Sequence, residues 1–270
     1  MPTHDGAWPQ GTPCWIDCQV DDTAAARAFY SRLFGWDIMD GPQEAGGYLM
    51  AMKGGRPAAG IGPKPGGMPM PSAWTTYFAA DSADDIAARV TSAGGQTFMP
   101  PFDVLDVGRM FVAADPTGAA FGVWEAKAHT GAGVFNEHGA YNWNELHTRR
   151  YKDAQAFYAD VFGWTYTEIG DGTDFVYSTF TVPGGTNSAG GINDDTTMPG
   201  DNPAYWLTWF QVDDADAVVA EAAALGASTL MGPDDSPFGR MSVIQGAQGE
   251  VFGVIDPTRT VREPPAPGQG

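Results

Sequence analysis

The stretches AFYSRLFGW at residues 28–36 and AFYADVFGW at residues 156–164 agree at six of nine positions. Each pairs an apolar helical stripe with a glycine stop and a tryptophan. Working outward, WTTYFAADSADD at 74–85 returns as WLTWFQVDDADA at 206–217. GRMFVAADPTGAAFGVWE at 108–125 returns as GRMSVIQGAQGEVFGVID at 239–256, with eight of eighteen positions shared. Three blocks recur in the same order at nearly the same spacing, so the chain is a tandem duplication. The repeat is too long for a solenoid, and each half reads as a domain-sized unit.

The elements of one half follow from periodicity. CWIDCQV alternates Ile16, Cys18 and Val20 on one face with Trp15, Asp17 and Gln19 on the other, the pattern of a strand with one apolar side. DDTAAARAFYSRLFG supplies Asp22 or Thr23 as a cap, an Ala-rich stripe and Gly35 as a stop, which predicts a helix. Three short strands follow, and the order strand, helix, three strands then restarts at WTTYFAA. The expectation is an α+β protein of four βαβββ modules, paired into two tandem domains, each with an eight-stranded sheet curled into a cup. The boundaries are 11–127 for the first domain, 128–139 for a linker, 140–257 for the second domain and 258–270 for a disordered tail.

The chain has 270 residues and a net charge of −19, with 33 acidic against 14 basic residues. Such a field repels phosphate backbones and anionic lipid, so nucleic-acid and membrane partners are not expected. The start has no basic and apolar leader pattern, and no apolar run is long enough to span a bilayer. Cys14 and Cys18 would stand roughly 13 Å apart on a strand, beyond disulfide reach. Two unpaired thiols fit a reducing, cytoplasmic setting. A monomer with its two domains paired within the chain, or a homodimer, is expected.

VDDTAAARAFYSRLFGW and DPTGAAFGVWE in the first half, with DAQAFYADVFGW and GEVFGVID in the second, resemble the vicinal-oxygen-chelate superfamily. That superfamily embraces glyoxalases, extradiol dioxygenases, fosfomycin-resistance enzymes and bleomycin-resistance proteins. The tandem form is similar to actinobacterial proteins labelled hydroxylase, glyoxalase-like or 27-kDa antigen. The resemblance implies a divalent metal held by His, Gln or Glu on a module's first strand and Glu on its last. Those positions fall here on Trp15 and Trp143, on Thr75 and Leu207, and on Gly122 and Gly253, none of them a reasonable ligand. The stretch Tyr48–Gly62 offers no acid either.

The expectation is therefore a small-molecule-binding protein without metal or other cofactor. A divalent-metal enzyme with non-standard ligands is one alternative, and a metal-free acid–base enzyme is another. The residues facing the first cup would be Trp15, Asp17, Gln19, Tyr77 and Trp124. Those facing the second would be Trp143, Glu145, His147, Trp209 and Gln211, with Trp206 a further aromatic candidate. Glu145 and His147, two apart on one strand face, are the candidate catalytic pair, as base and orienter or as the nucleus of a metal site with Asp171 or Asp174. A structural hydrogen-bonded pair is the plainer reading of the same two residues. Arg109 and Arg240 of the shared GRM read as strand-edge salt bridges before anion contacts, and Met50, Met52, Met68 and Met70 as pocket lining or core filling. GGRPAAGIG resembles a phosphate loop only in composition, since no helix follows it.

Overall fold

A computed structural model describes residues 2–66, 70–170, 172 and 175–261. Met68, Asp171, Asp174 and the tail beyond Val261 lie outside the described residues. The first module runs β1 (Pro13–Val20), α1 (Thr23–Phe34), β2 (Asp37–Asp40), β3 (Leu49–Lys53) and β4 (Arg56–Pro63). The second runs β5 (Ala73–Ala79), α2 (Ala83–Ser92), β6 (Gln96–Thr97), β7 (Phe102–Val104), β8 (Gly108–Ala114) and β9 (Ala120–Ala126). The third comprises β10 (Tyr141–Thr148), α3 (Tyr151–Phe162), β11 (Thr165–Gly170), β12 (Val176–Thr181) and β13 (Gly190–Asp194). The fourth comprises β14 (Tyr205–Gln211), α4 (Ala215–Ala224), β15 (Ser228–Ser236), β16 (Gly239–Gln245) and β17 (Val251–Asp256).

Each half folds into one sheet, and the orders correspond strand for strand. The first is β2-β3-β4-β1-β5-β9-β8-β6, with β7 also on β8; the second is β11-β12-β13-β10-β14-β17-β16-β15. The first sheet has nine strands rather than eight. Pro100 and Pro101 fall between β6 and β7 and cannot donate to the ladder, so one long strand becomes two short ones.

The helix ends follow their residues. Asp22 accepts from the amides of Ala24 and Ala25 at 2.9 Å, and Gly35 closes α1 at φ 66°. Asp214 caps α4 through the amide of Ala217 at 3.0 Å.

The helices fill the space between the two sheets, and they cross between halves. From α1, Phe34 stacks on Phe210 of β14 at 4.6 Å, and the Tyr30 hydroxyl donates to Glu250 at 2.8 Å. Reciprocally, Tyr158 of α3 meets Phe121 of β9 and donates to Asp115 at 3.0 Å. At the centre, Thr76 and Thr208 both donate to Asn144 Oδ1, at 2.8 and 3.0 Å, tying β5, β14 and β10 together. Phe34, Phe78, Phe121, Phe210 and Phe252 are fully buried here. Burial of each such side chain contributes about 1.5–3 kcal/mol. The large core clusters therefore each mix residues of both repeats.

Trp36 and Trp164 end their helices in this core, donating to the carbonyls of Gly139 and Gly11 at 2.5 and 3.0 Å. Trp206 belongs here too. Alternation along β14 turns it away from Trp209, and its indole donates to Tyr158 at 2.9 Å. It packs into this core and also borders the cavity. The expected linker is fastened along its length. Ala132 bonds the Cys14 carbonyl and Gly133 the Pro57 carbonyl, both at 2.8 Å, and Val134 is buried. Both cysteines are buried and free.

Candidate functional sites in the two cups

The strand faces turned away from the helices form the two cups. Trp15, Asp17, Gln19, Tyr77 and Trp124 of the first half and Trp143, Glu145, His147 and Trp209 of the second are cavity-lining. Gln211 does not join them. It lies at the far end of β14, where its side-chain oxygen accepts from Asn142 at 3.3 Å.

Both cups have the same floor. In the first, the Trp15 indole donates to the Tyr48 hydroxyl at 3.0 Å; in the second, Trp143 donates to Tyr177 at 2.8 Å. The tyrosines come from the β3 and β12 hairpins and lie over glycines of the neighbouring strand. A Cβ on Gly60 would sit 1.7 Å from the Tyr48 hydroxyl, and one on Gly191 1.8 Å from that of Tyr177. The same device recurs across the sheet. A Cβ on Gly122 would stand 2.1 Å from the Tyr77 ring, and one on Gly253 2.2 Å from Trp209. Glycine at these four places makes room for an aromatic ring, which explains the Gly-rich segment before β5 without any phosphate.

The acids on this floor are held differently. In the second cup Glu145 accepts from Tyr177 at 2.9 Å, from Trp209 at 2.9 Å and from His147 Nε2 at 3.1 Å. The other imidazole nitrogen, Nδ1, lies 3.0 Å from Asp195, which also accepts from Asn193 at 2.6 Å. Tyr205 stacks parallel on the imidazole at 4.9 Å. Burial opposes charge on His147, but the hydrogen bonds and charges of Asp195 and Glu145 outweigh it, raising its pKa to about 10. Burial likewise opposes charge on Glu145, and its bonds to His147, Trp209 and Tyr177 still leave its pKa below the ordinary value. Asp195 is lowered too, by the same imidazolium against its own burial. The second cup thus holds a carboxylate–imidazolium–carboxylate cluster.

In the first cup Gln19 stands where the second has His147. Asp17 accepts from the Tyr77 hydroxyl at 3.0 Å, and its other oxygen, Oδ1, is buried without a partner among the described residues. Burial pushes its pKa up to about 7, against the lowering effect of Tyr77 and Tyr48. His129, from the strap between the halves, packs edge-on to Trp15 at 4.4 Å and to Trp124 at 5.5 Å. Burial lowers its pKa to about 4, so it is neutral, and its Nε2 also lacks a partner among the described residues.

Alternation along β1 and β10 places the expected residues, but Tyr48, Tyr177, Asp195, Tyr205 and His129 escape it because they arrive from other elements. The two tyrosines had a signal: they occupy matching places in YLMAMK and VYSTFT, each facing a glycine of the following strand. Arg109 and Arg240 lie outside the cups. Arg109 pairs with Asp84 at 2.9 Å and Arg240 with Asp216 at 2.7 Å, each tying a strand to its module's helix, as the salt-bridge reading expected.

The model of the Glyoxalase/Bleomycin resistance protein/Dioxygenase superfamily matches residues 14–123 and 141–258, once in each half. The chain belongs to that superfamily. It is 44% identical over 255 residues to CFP32 of Mycobacterium tuberculosis (strain CDC 1551 / Oshkosh), covering 92% of this chain and 95% of that one. It is 36% identical over 264 residues to the anthracycline biosynthesis protein DnrV of Streptomyces peucetius, covering 91% and 93%. Among solved structures, the Mn(II)-bound glyoxalase from Novosphingobium aromaticivorans superposes with a TM-score of 0.61 at 17% identity, over 96% of this chain and 89% of that one. The 2,3-dioxygenase LapB from Pseudomonas sp. KL28 gives 0.61 at 13% identity, over 92% and 93%. At that identity the likeness shows the fold alone.

The donor set here does not fit a chelated divalent ion. Gly122 and Gly253 carry no donor, and the rings of Tyr77 and Trp209 occupy the space beside them. Among the described residues no three His, Cys, Asp or Glu side chains converge to hold an ion. Glu145 and Asp195 approach opposite edges of the His147 ring, so one ion cannot meet all three.

Proposed function

We propose that the protein binds an apolar small molecule in its cups and does so without a chelated metal. The observation that carries this reading is the interlocking of Gly122 with Tyr77 and of Gly253 with Trp209, where superfamily chemistry calls for a ligand carboxylate. Aromatic walls with a few fixed polar groups suit an apolar, ring-containing guest. The name of the relative DnrV, an anthracycline biosynthesis protein, is consistent with an aromatic guest. Glu145 and His147 serve in this reading as a buried ion cluster. An imidazole with a pKa raised to about 10 keeps its proton near neutrality, which argues against His147 as a general base.

The test is elemental analysis of gently purified protein, with native mass spectrometry after exposure to cell extract. The expected result is below about a tenth of a metal equivalent per chain, with a small organic molecule retained. Stoichiometric metal, lost on mutating Glu145 or His147, would contradict the reading.

A further inference from the structure

Among the described residues four acids are buried: Asp17, Asp115, Glu250 and Asp256. Asp115 accepts from the Thr117 and Ala119 amides and from Tyr158. Glu250 accepts from Tyr30 and from the Gln248 amide, and Asp256 from Thr258. Asp17 is the exception. It is 5% exposed and borders the cavity, and Oδ1 has no partner within hydrogen-bond distance among the described residues, the Tyr48 hydroxyl being the group beside Tyr77 that acts on the carboxyl. Leaving a buried polar atom unsatisfied costs about 1–3 kcal/mol, so a fold that retains one at the floor of a concavity favours a guest that completes it.

The surroundings define that guest. Tyr77 already donates to Oδ2, and Tyr48 is the other hydroxyl acting on this carboxyl. Among the described residues no Lys, Arg or His forms an ion pair with it, and the nearby His129 is neutral. The rings of Trp15, Tyr48, Tyr77 and Trp124 border the cavity, and aromatic rings stabilise a cation. The chain's net charge of −19 concentrates cations around it. The second cup lacks this opening, because both oxygens of Glu145 are bonded and His147 supplies the positive charge.

We infer that the first cup is an amine site: it takes a protonated N–H ammonium group carried on an aromatic body, with the N–H directed at Asp17 and the body against the ring walls. This rests on the binding function proposed above and adds the chemical class of the ligand and the cup that receives it.

Isothermal titration of the full chain at about pH 8, above the range in which Asp17 takes up its proton, tests it with two isosteric probes. These are 1-naphthylmethylammonium chloride and 1-naphthalenemethanol. A hydrogen bond to an ionised partner predicts that the ammonium binds at least about tenfold more tightly than the alcohol. Asp17→Asn should erase that preference to within about threefold, with a retained cooperative thermal melt reporting an intact fold. Asp160→Asn, an exposed helix position, removes the same charge and should keep the preference. Equal binding of the two probes to the unaltered protein overturns the inference and leaves the binding function standing, a result that needs no variant. A preference that survives Asp17→Asn, or disappears in Asp160→Asn, overturns the assignment to Asp17. Failure of both probes to bind overturns the inference and the aromatic-binding reading together.

Discussion

The two cups are copies that differ in the charged groups at their centres. Each has a tryptophan donating to a tyrosine, a glycine beneath that tyrosine, and a carboxyl on the central strand. Glu145 has acquired a histidine two residues on, and a second acid beyond it. Asp17 has Gln19 in the histidine's place and Lys64 turned outward to Asp21 at 2.7 Å. One cup therefore contains its own counter-ion and the other leaves a carboxyl to be completed. Duplication keeps the scaffold while His147 in place of Gln19, together with Asp195, separates the electrostatics of the two sites.

The largest effect should come from His147→Ala. It strands Glu145 and Asp195 as buried like charges and should destabilise the protein by about 3–5 kcal/mol in denaturant unfolding. Gln19→Ala at the matching place should cost below about 1 kcal/mol. Equal losses would remove the distinction between the cups.

The pH dependence of stability separates them next. Asp17 has a folded pKa raised to about 7 from 3.8. A raised folded value means the native state holds the proton more tightly. Its contribution is full below the unfolded value and is lost as pH rises through about 7. Unfolding free energy of the unaltered protein minus that of Asp17→Asn should fall between about pH 4 and 8, by a few kcal/mol. His147 has the same sign in another window, with its contribution present below about 6.5 and lost as pH rises through about 10. Glu145 and Asp195 are lowered, so their contributions are lost as pH falls through their folded values. A flat difference curve between pH 4 and 8 would show that Asp17 ionises as an ordinary carboxyl.

Gly122→Ala and Gly253→Ala sharpen what the cups share. Each drives a Cβ into a ring, and each should cost about 2–3 kcal/mol by thermal unfolding, nearly equally in the two halves. The smallest contrast is in the hydroxyls. Tyr177→Phe removes a donor from an ionised Glu145 and should cost about 1.5–3 kcal/mol, while Tyr77→Phe removes one from a half-neutral Asp17 and should cost about 1 kcal/mol. The reverse order would contradict the assigned charge states.

The fold was legible because its information is periodic and duplicated. Alternation in CWIDCQV and NWNELHT sorted Trp15, Asp17, Glu145 and His147 onto one face, and the repeated FGW placed the helix ends. The contacts that decide the electrostatics were less legible because they join distant segments. Asp195 reaches His147 from the turn after β13, and His129 reaches Trp15 from a strap that composition marked as linker. Gln211 shows the limit of alternation: it names a face but not how far along the strand the cup extends.

The central claim is that the second cup carries an imidazolium between two carboxylates while the first carries an uncompensated carboxyl. One pH titration by NMR, with nitrogen-15 in the histidine rings and carbon-13 in the aspartate carboxyls, reads both. The account predicts that His147 stays doubly protonated through pH 8, above its ordinary pKa of 6.5, and that Asp17 titrates with a midpoint near 7. A neutral His147 at pH 7, together with an Asp17 midpoint in the ordinary carboxylate range, would contradict it.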